Sequence, residues 1–220
     1  MRLWSHSFRD CGLIPADHAF AAIDARAHVR PAGNRNPHLA WDEVPNGTES
    51  LALFCIDVDA PLDAGRVNVE GRTLAAEQPR GEFFHWSLID VPPELRAIED
   101  GRFSRDVTAR GKPGDPLPWM DGAGPCMLRQ GLNDFGAWFA ADPVMAGDYY
   151  GYDGPCPPWN DERIHHYIFR LYALDVARLA LAPRFTGMQA RAALHGHILD
   201  EAQLVGAYSL NPELAITLKK

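Results

Sequence analysis

A chain of 220 residues with 46% hydrophobic and 23% charged residues has globular composition, neither disordered nor collagen-like. Lys plus Arg number 21 against 29 Asp plus Glu, a formal charge of -8. That balance lacks the broad basic footprint that duplex DNA or an anionic membrane surface demands, while leaving room for a small local anion site.

Taken in chain order, the start from Met1 to His6 has no apolar leader, and Arg9 and Asp10 follow at once. The first strong element is the unbroken apolar run Leu51-Ala52-Leu53-Phe54-Cys55-Ile56, which reads as a buried strand. It is the longest such run, far short of the ~18 residues of a membrane span. Phe83 to Ile89 reads as a second strand. A short helix is expected near Pro92 to Glu99. From Asp106 to Tyr150 the chain does not read as regular structure, being broken by Gly111-Lys112-Pro113-Gly114 and Gly122-Ala123-Gly124-Pro125. Its bulky residues, Trp119, Met120, Trp138, Phe139, Met145, Tyr149 and Tyr150, look exposed, and a loop of this length is usually functional or a partner surface. Tyr167 to Leu174 is a third strand, rich in aromatic and β-branched residues. Thr186-Gly187-Met188-Gln189 has the form of a capping box. Leu194, Ile198 and Ala202 then recur every four residues, so a helix is expected to run on until Gly206. Gly206 to Leu210 reads as a short last strand. Frequent turns between short apolar runs make the fold mainly β.

The chemistry-bearing residues gather in three clusters: Asp57-Val58-Asp59-Ala60-Pro61, His85, and Gly154-Pro155-Cys156-Pro157-Pro158 followed by His165-His166-Tyr167. Two imidazoles with nearby carboxylates and a phenol can hold an anion through N–H and O–H donors. His165 and His166 alternate along a strand, so they face opposite sides, and His165 is assigned to the pocket. Read alone, His85 is a core histidine, Asp57 and Asp59 are turn caps, and Cys156 is a small packed residue. Two rivals exist. Asp57, Asp59, His85 and His165 could form a two-histidine, carboxylate metal set, but no H-E-x-x-H or close ligand pair supports one, and neither metal nor cofactor is expected. Cys156 with His165 could serve a cysteine-dependent hydrolase, although no catalytic residue is assigned. The four cysteines (Cys11, Cys55, Cys126, Cys156) form no C-x-x-C pair, so reduced thiols and a cytoplasmic location are expected.

The same clusters resemble the phosphatidylethanolamine-binding protein family, in its bacterial and archaeal, Raf-kinase-inhibitor-like branch. The D-P-D-A-P signature stands as Asp57 to Pro61, and G-P-C-P-P is intact at Gly154 to Pro158. H-x-Y is His165-His166-Tyr167, N-D-F-G is Asn133 to Gly136, and Asn34-Arg35-Asn36-Pro37-His38-Leu39-Ala40-Trp41 is similar to N-x-S-P-x-L-x-W. The C-terminal helix leading to Val205 to Tyr208 also matches. The resemblance runs from about Ser7 to Leu210. It implies one domain over residues 1–220, two antiparallel β-sheets with a few flanking helices, one of them near the C-terminus, and an insertion at about 106–150. It implies a pocket lined by Asp57, Asp59, His85, Pro157, His165 and Tyr167, with Gly154 and Cys156 shaping the loop, for a phosphate, phosphoethanolamine or carboxylate group. It implies a cis bond at Ala60–Pro61. Relatives that regulate kinases or inhibit proteases make a protein partner an alternative, and dimeric bacterial relatives make the insert a candidate homodimer surface. The chain departs from the pattern at Val58, at Asn36, and in the long spacer Trp159 to Ile164.

Overall fold

The computed structural model describes residues 1–114, 117–121 and 124–217, with only the backbone described over 117–121, 124–127 and 216–217. Twelve strands among these residues are β1 (Arg2–Trp4), β2 (Gly12–Leu13), β3 (Ala21–Asp24), β4 (His28–Pro31), β5 (Leu39–Asp42), β6 (Ser50–Pro61), β7 (Arg80–Val91), β8 (Ala97–Ile98), β9 (Leu117–Asp121), β10 (Gly124–Gln130), β11 (His165–Leu174) and β12 (Ile198–Tyr208). Three short α-helices accompany them, α1 (Phe135–Trp138), α2 (Gly187–Ala193) and α3 (Pro212–Thr217), with 3-10 turns at Ala16–His18 and Ala64–Arg66. The mainly β expectation is therefore met, with a helix near the C-terminus. The large sheet has the order β2-β12-β11-β6-β7-β10-β9, a smaller one has β1-β5-β8, and β3-β4 form a separate pair. Among the described strands only β2 and β12 pair in parallel.

Strand β6 is apolar without interruption because both its faces are covered. Leu51, Leu53 and Cys55 point into the core shared with Leu3, Leu39, Trp41 and Ile98 of the small sheet. Ala52, Phe54 and Ile56 point the other way, into a second core roofed by Phe185, Ala190 and Leu194 at α2. Alternation by two along a strand produces this division.

Several expectations are corrected. The capping box is real: the Gln189 N–H donates to Thr186 Oγ1 at 3.3 Å, and the Thr186 N–H donates to Gln189 Oε1 at 2.9 Å. The helix nevertheless stops at Ala193, and Gly196, at φ +84°, turns the chain into β12. A spacing of four is also two periods of a strand, so Leu194, Ile198 and Ala202 could not separate the alternatives. Pro92 to Glu99 holds a turn, with the Leu95 N–H donating to the Pro92 carbonyl, and then β8, which adds to β5. The segment 106–150 contains the β9-β10 hairpin, which extends the large sheet from β7, and also α1. Tyr149 is fully buried and Trp138 is exposed, whereas the side chains of Trp119, Met120 and Cys126 lie outside the described residues. No cis peptide bond occurs among the described residues, so Ala60–Pro61 is trans. No helix there is long and apolar enough to cross a membrane.

Candidate functional site

Two β-bulges aim the polar residues. Between β6 and β7, Cys55 pairs with Trp86 and Ile56 pairs with Phe84, so His85 is the extra residue. Further along, Asp57 pairs with Phe83 and Ala60 with Gly81, which leaves one extra residue on β6 around Val58 and Asp59. Bulges of this kind twist a strand and redirect side chains. On the other flank of β6, Asp57 pairs with Tyr167 of β11. The ends of three adjacent strands thus converge on one cavity of about 140 Å³.

Asp57, His85 and His165 form the inner polar wall, with the exposed Glu82 and Asn68 nearer the mouth. Phe83, Phe135, Pro157 and Pro158 form the apolar wall, and Leu62 and Trp138 stand at the opening with 69% and 44% of their surface exposed. Cys156 also lines it. Of the expected site residues, Asp59, Gly154 and Tyr167 lie behind this lining. A β-carbon on Gly154 would run into the His18 carbonyl oxygen, and its N–H donates to Asn34 Oδ1 at 2.8 Å, so the residue sets the loop's path. Tyr167 packs edge-on to His85 with ring centres 5.1 Å apart. Its hydroxyl is buried without a hydrogen-bond partner among the described residues. Burial, then the charge of Asp57, pushes the phenol well above its ordinary range, so it stays protonated.

The two pocket histidines differ in their partners. His85 Nδ1 lies 2.7 Å from the Asp153 carbonyl oxygen. A carbonyl only accepts, so this nitrogen carries the proton, and Nε2 is left for the cavity. Burial lowers the His85 pKa, outweighing the opposite pull of Asp57 and the Asp153 carbonyl. His165 has Nδ1 2.7 Å from Asp57 Oδ2 and Nε2 3.1 Å from Asp161 Oδ2. Burial would lower its pKa too, but the charge of Asp57 and the bonds to both carboxylates outweigh it and carry the group up to about 9. His165 is an imidazolium with both N–H groups engaged. The donor role expected of it is thus taken up by the two carboxylates, and it acts on the cavity through Asp57.

Behind the wall the charges alternate. Asp161 is held bidentately by Arg80, at 2.5 and 2.9 Å. Burial pushes the Asp161 carboxyl up, yet the hydrogen bonds from His165, Arg80 and the Arg163 N–H outweigh it and hold it low. Asp59 pairs with His166 Nδ1 at 2.8 Å and Arg163 Nε at 3.1 Å. As expected, His165 faces inward and His166 outward. Asp153 is a buried carboxylate clasped by Asn34 at 2.6 Å, Asn133 at 2.7 Å and Lys112 at 3.0 Å. The asparagines of two sequence motifs therefore tie down the loop whose carbonyl orients His85.

Arg80, Asp153 and Asp161 were not singled out from sequence. The signals available were Asp161 four residues before His165 and Asp153 directly before Gly154. Burial pushes the Cys156 thiol up to about 12, which disfavours the thiolate a nucleophile needs, and both ring nitrogens of His165 are engaged by Asp57 and Asp161 rather than by this thiol. Among the described residues no three His, Cys, Asp or Glu side chains are grouped to hold a metal ion.

A family model described as Phosphatidylethanolamine-binding protein matches residues 4–209. The chain belongs to this family. A UPF0098 protein of Methanothermobacter thermautotrophicus is 33% identical over 94% of this chain and 98% of its own length. The UPF0098 protein YbhB of Escherichia coli is 29% identical over 95% of this chain and the whole of its own. Among solved structures, E. coli YbcL, described as a member of the mammalian PEBP family, superposes with a TM-score of 0.64 at 22% identity, covering 94% of this chain and 97% of its own. That likeness shows a shared fold, and family membership supports a ligand-binding one.

Proposed function

We propose that this protein reversibly binds a small anionic group, phosphate, phosphoethanolamine or carboxylate, in the cavity at His85, without covalent chemistry. The observation that carries the reading is the His85 ring: buried, fixed through Nδ1 on the Asp153 carbonyl, with Nε2 left to the cavity. The cavity suits a head group rather than a whole lipid. Asp57 and His165 form the rear of the site, Tyr167 packs against His85, and Gly154, Cys156 and Pro157 shape the loop. Asp59 acts at a distance, tying His166 and Arg163 to the bulge. In this reading Trp138 and Leu62 at the mouth contact whatever extends from the head group.

The test is a thermal-shift titration at about pH 6 with phosphate, acetate and phosphoethanolamine. A ligand at 100 times its Kd adds about 2.7 kcal/mol to stability. A saturable shift in the wild type that disappears in His85→Ala is the expected result. No shift with any of the three ligands contradicts the reading.

A further inference from the structure

Around His85 the cavity wall is rich in acceptors; the amide donor of the lining, Asn68, is on the exposed segment before β7, with its Oδ1 accepting from the Trp159 N–H. No Arg or Lys lines the cavity among the described residues, while Asp57 and Glu82 do. Asp57 holds His165 through Oδ2 and the Asp59 N–H through Oδ1, at 2.7 and 2.8 Å, and each oxygen keeps a further lone pair. His165 has no N–H left to offer. His85 has given its one N–H to the Asp153 carbonyl, so the neutral ring presents Nε2 as a lone pair.

The groups facing His85 do not reverse this. From β6 comes Asp57, from β11 His165 and Tyr167, from the loop before β11 Asp153 and Cys156, and from β7 itself Glu82. The Asp153 carboxylate is already matched by Lys112 and two asparagines. Glu82 is paired with Arg191 at 2.6 Å. Helix α1 contributes Phe135 and Trp138, which carry no charge. A fully ionised oxyanion would therefore set bare lone pairs against the lone pairs of Asp57 and His85. An oxyanion that keeps one proton turns the same groups into acceptors for its O–H.

We propose that the cavity selects acids in a proton-bearing form, monoprotonated phosphate or a carboxylic acid, over fully ionised oxyanions of the same size such as sulfate or a sulfonate. This rests on the reading that an oxyanion occupies the cavity at His85. The ligand's O–H proton is shared with His85 Nε2 or an Asp57 oxygen, and no bond to the ligand forms or breaks.

Calorimetric titration of the full chain with phosphate, sulfate, acetate and methanesulfonate at about pH 6 and about pH 8 tests it. Phosphate is expected to bind at least about tenfold tighter than sulfate, because a site built around a ligand O–H rejects the analogue lacking it. Acetate should exceed methanesulfonate likewise. Acetate should weaken at about pH 8, as its protonated fraction falls, whereas inorganic phosphate keeps an O–H at both pH values and should hold its preference over sulfate at both. Equal affinities for phosphate and sulfate, with affinity lost in His85→Ala, overturn the selectivity and leave the oxyanion reading standing. Binding of none of the four ions, or unchanged binding in folded His85→Ala, overturns both.

Discussion

His85 on β7 and His165 on β11 flank the same strand, line the same cavity and are both buried, yet one ring is neutral and the other charged. His85 meets a neutral carbonyl, and burial keeps it uncharged near neutral pH. His165 lies between two carboxylates, and their pull overrides burial. Burial sets the cost of a charge, and the partner within hydrogen-bond reach decides whether that cost is met. The neutral ring is the one left to meet a ligand, and the charged ring is part of the frame.

The strongest way to break this comparison is to remove Arg80. Arg80→Ala leaves Asp161 buried against His165 without its guanidinium, at an expected cost of about 3–5 kcal/mol in urea denaturation. A loss below about 1 kcal/mol would mean that the carboxylates do not need the network. The pH dependence of stability is next. His165 is raised from 6.5 in the unfolded chain to about 9 when folded. Its stabilisation is thus complete below about 6.5 and is lost as pH rises through about 9, by about 3 kcal/mol. Asp161 is lowered, so its stabilisation is present above its ordinary value of 3.8 and lost as pH falls below it. Denaturation across this range should show a plateau between about 3.8 and 6.5 and a decline from there through about 9, and His165→Gln should remove the alkaline loss.

A smaller effect is expected for the neutral partner. His85→Ala removes the bond to the Asp153 carbonyl, costing about 1–3 kcal/mol by thermal denaturation, while the ligand-dependent shift disappears. Smallest is His166→Ala. His166 is half exposed and salt-bridged to Asp59, so its loss should cost no more than about 1 kcal/mol and leave ligand affinity unchanged. A larger cost would place His166 within the frame.

The contrast also shows what could be read without coordinates. Leu51 to Ile56 declared itself as an unbroken apolar run, and Tyr167 to Leu174 by its aromatic and β-branched content around Arg170. The inward turn of His165 and outward turn of His166 followed from strand alternation. Helix α2 was legible at its start, where Thr186 and Gln189 cap it locally, and illegible at its end, where a four-residue spacing fits helix and strand alike. Short elements such as β8 exist by pairing with distant β5, and local sequence does not carry that. The clusters at Asp57, His85 and His165 were visible as residue types. Their protonation was not, because it depends on Asp161 and Arg80, which lie 81 residues apart in sequence and meet only when β7 and the loop before β11 are folded.

The central claim is that two buried histidines in one cavity differ in protonation, His85 neutral and His165 charged, and nuclear magnetic resonance titration of their ring protons and nitrogens tests it directly. His165 should titrate near 9 and His85 below its ordinary 6.5, with Nδ1 as the protonated nitrogen at neutral pH. Both rings titrating together near 6.5, or a charged His85 beside a neutral His165, would contradict the account.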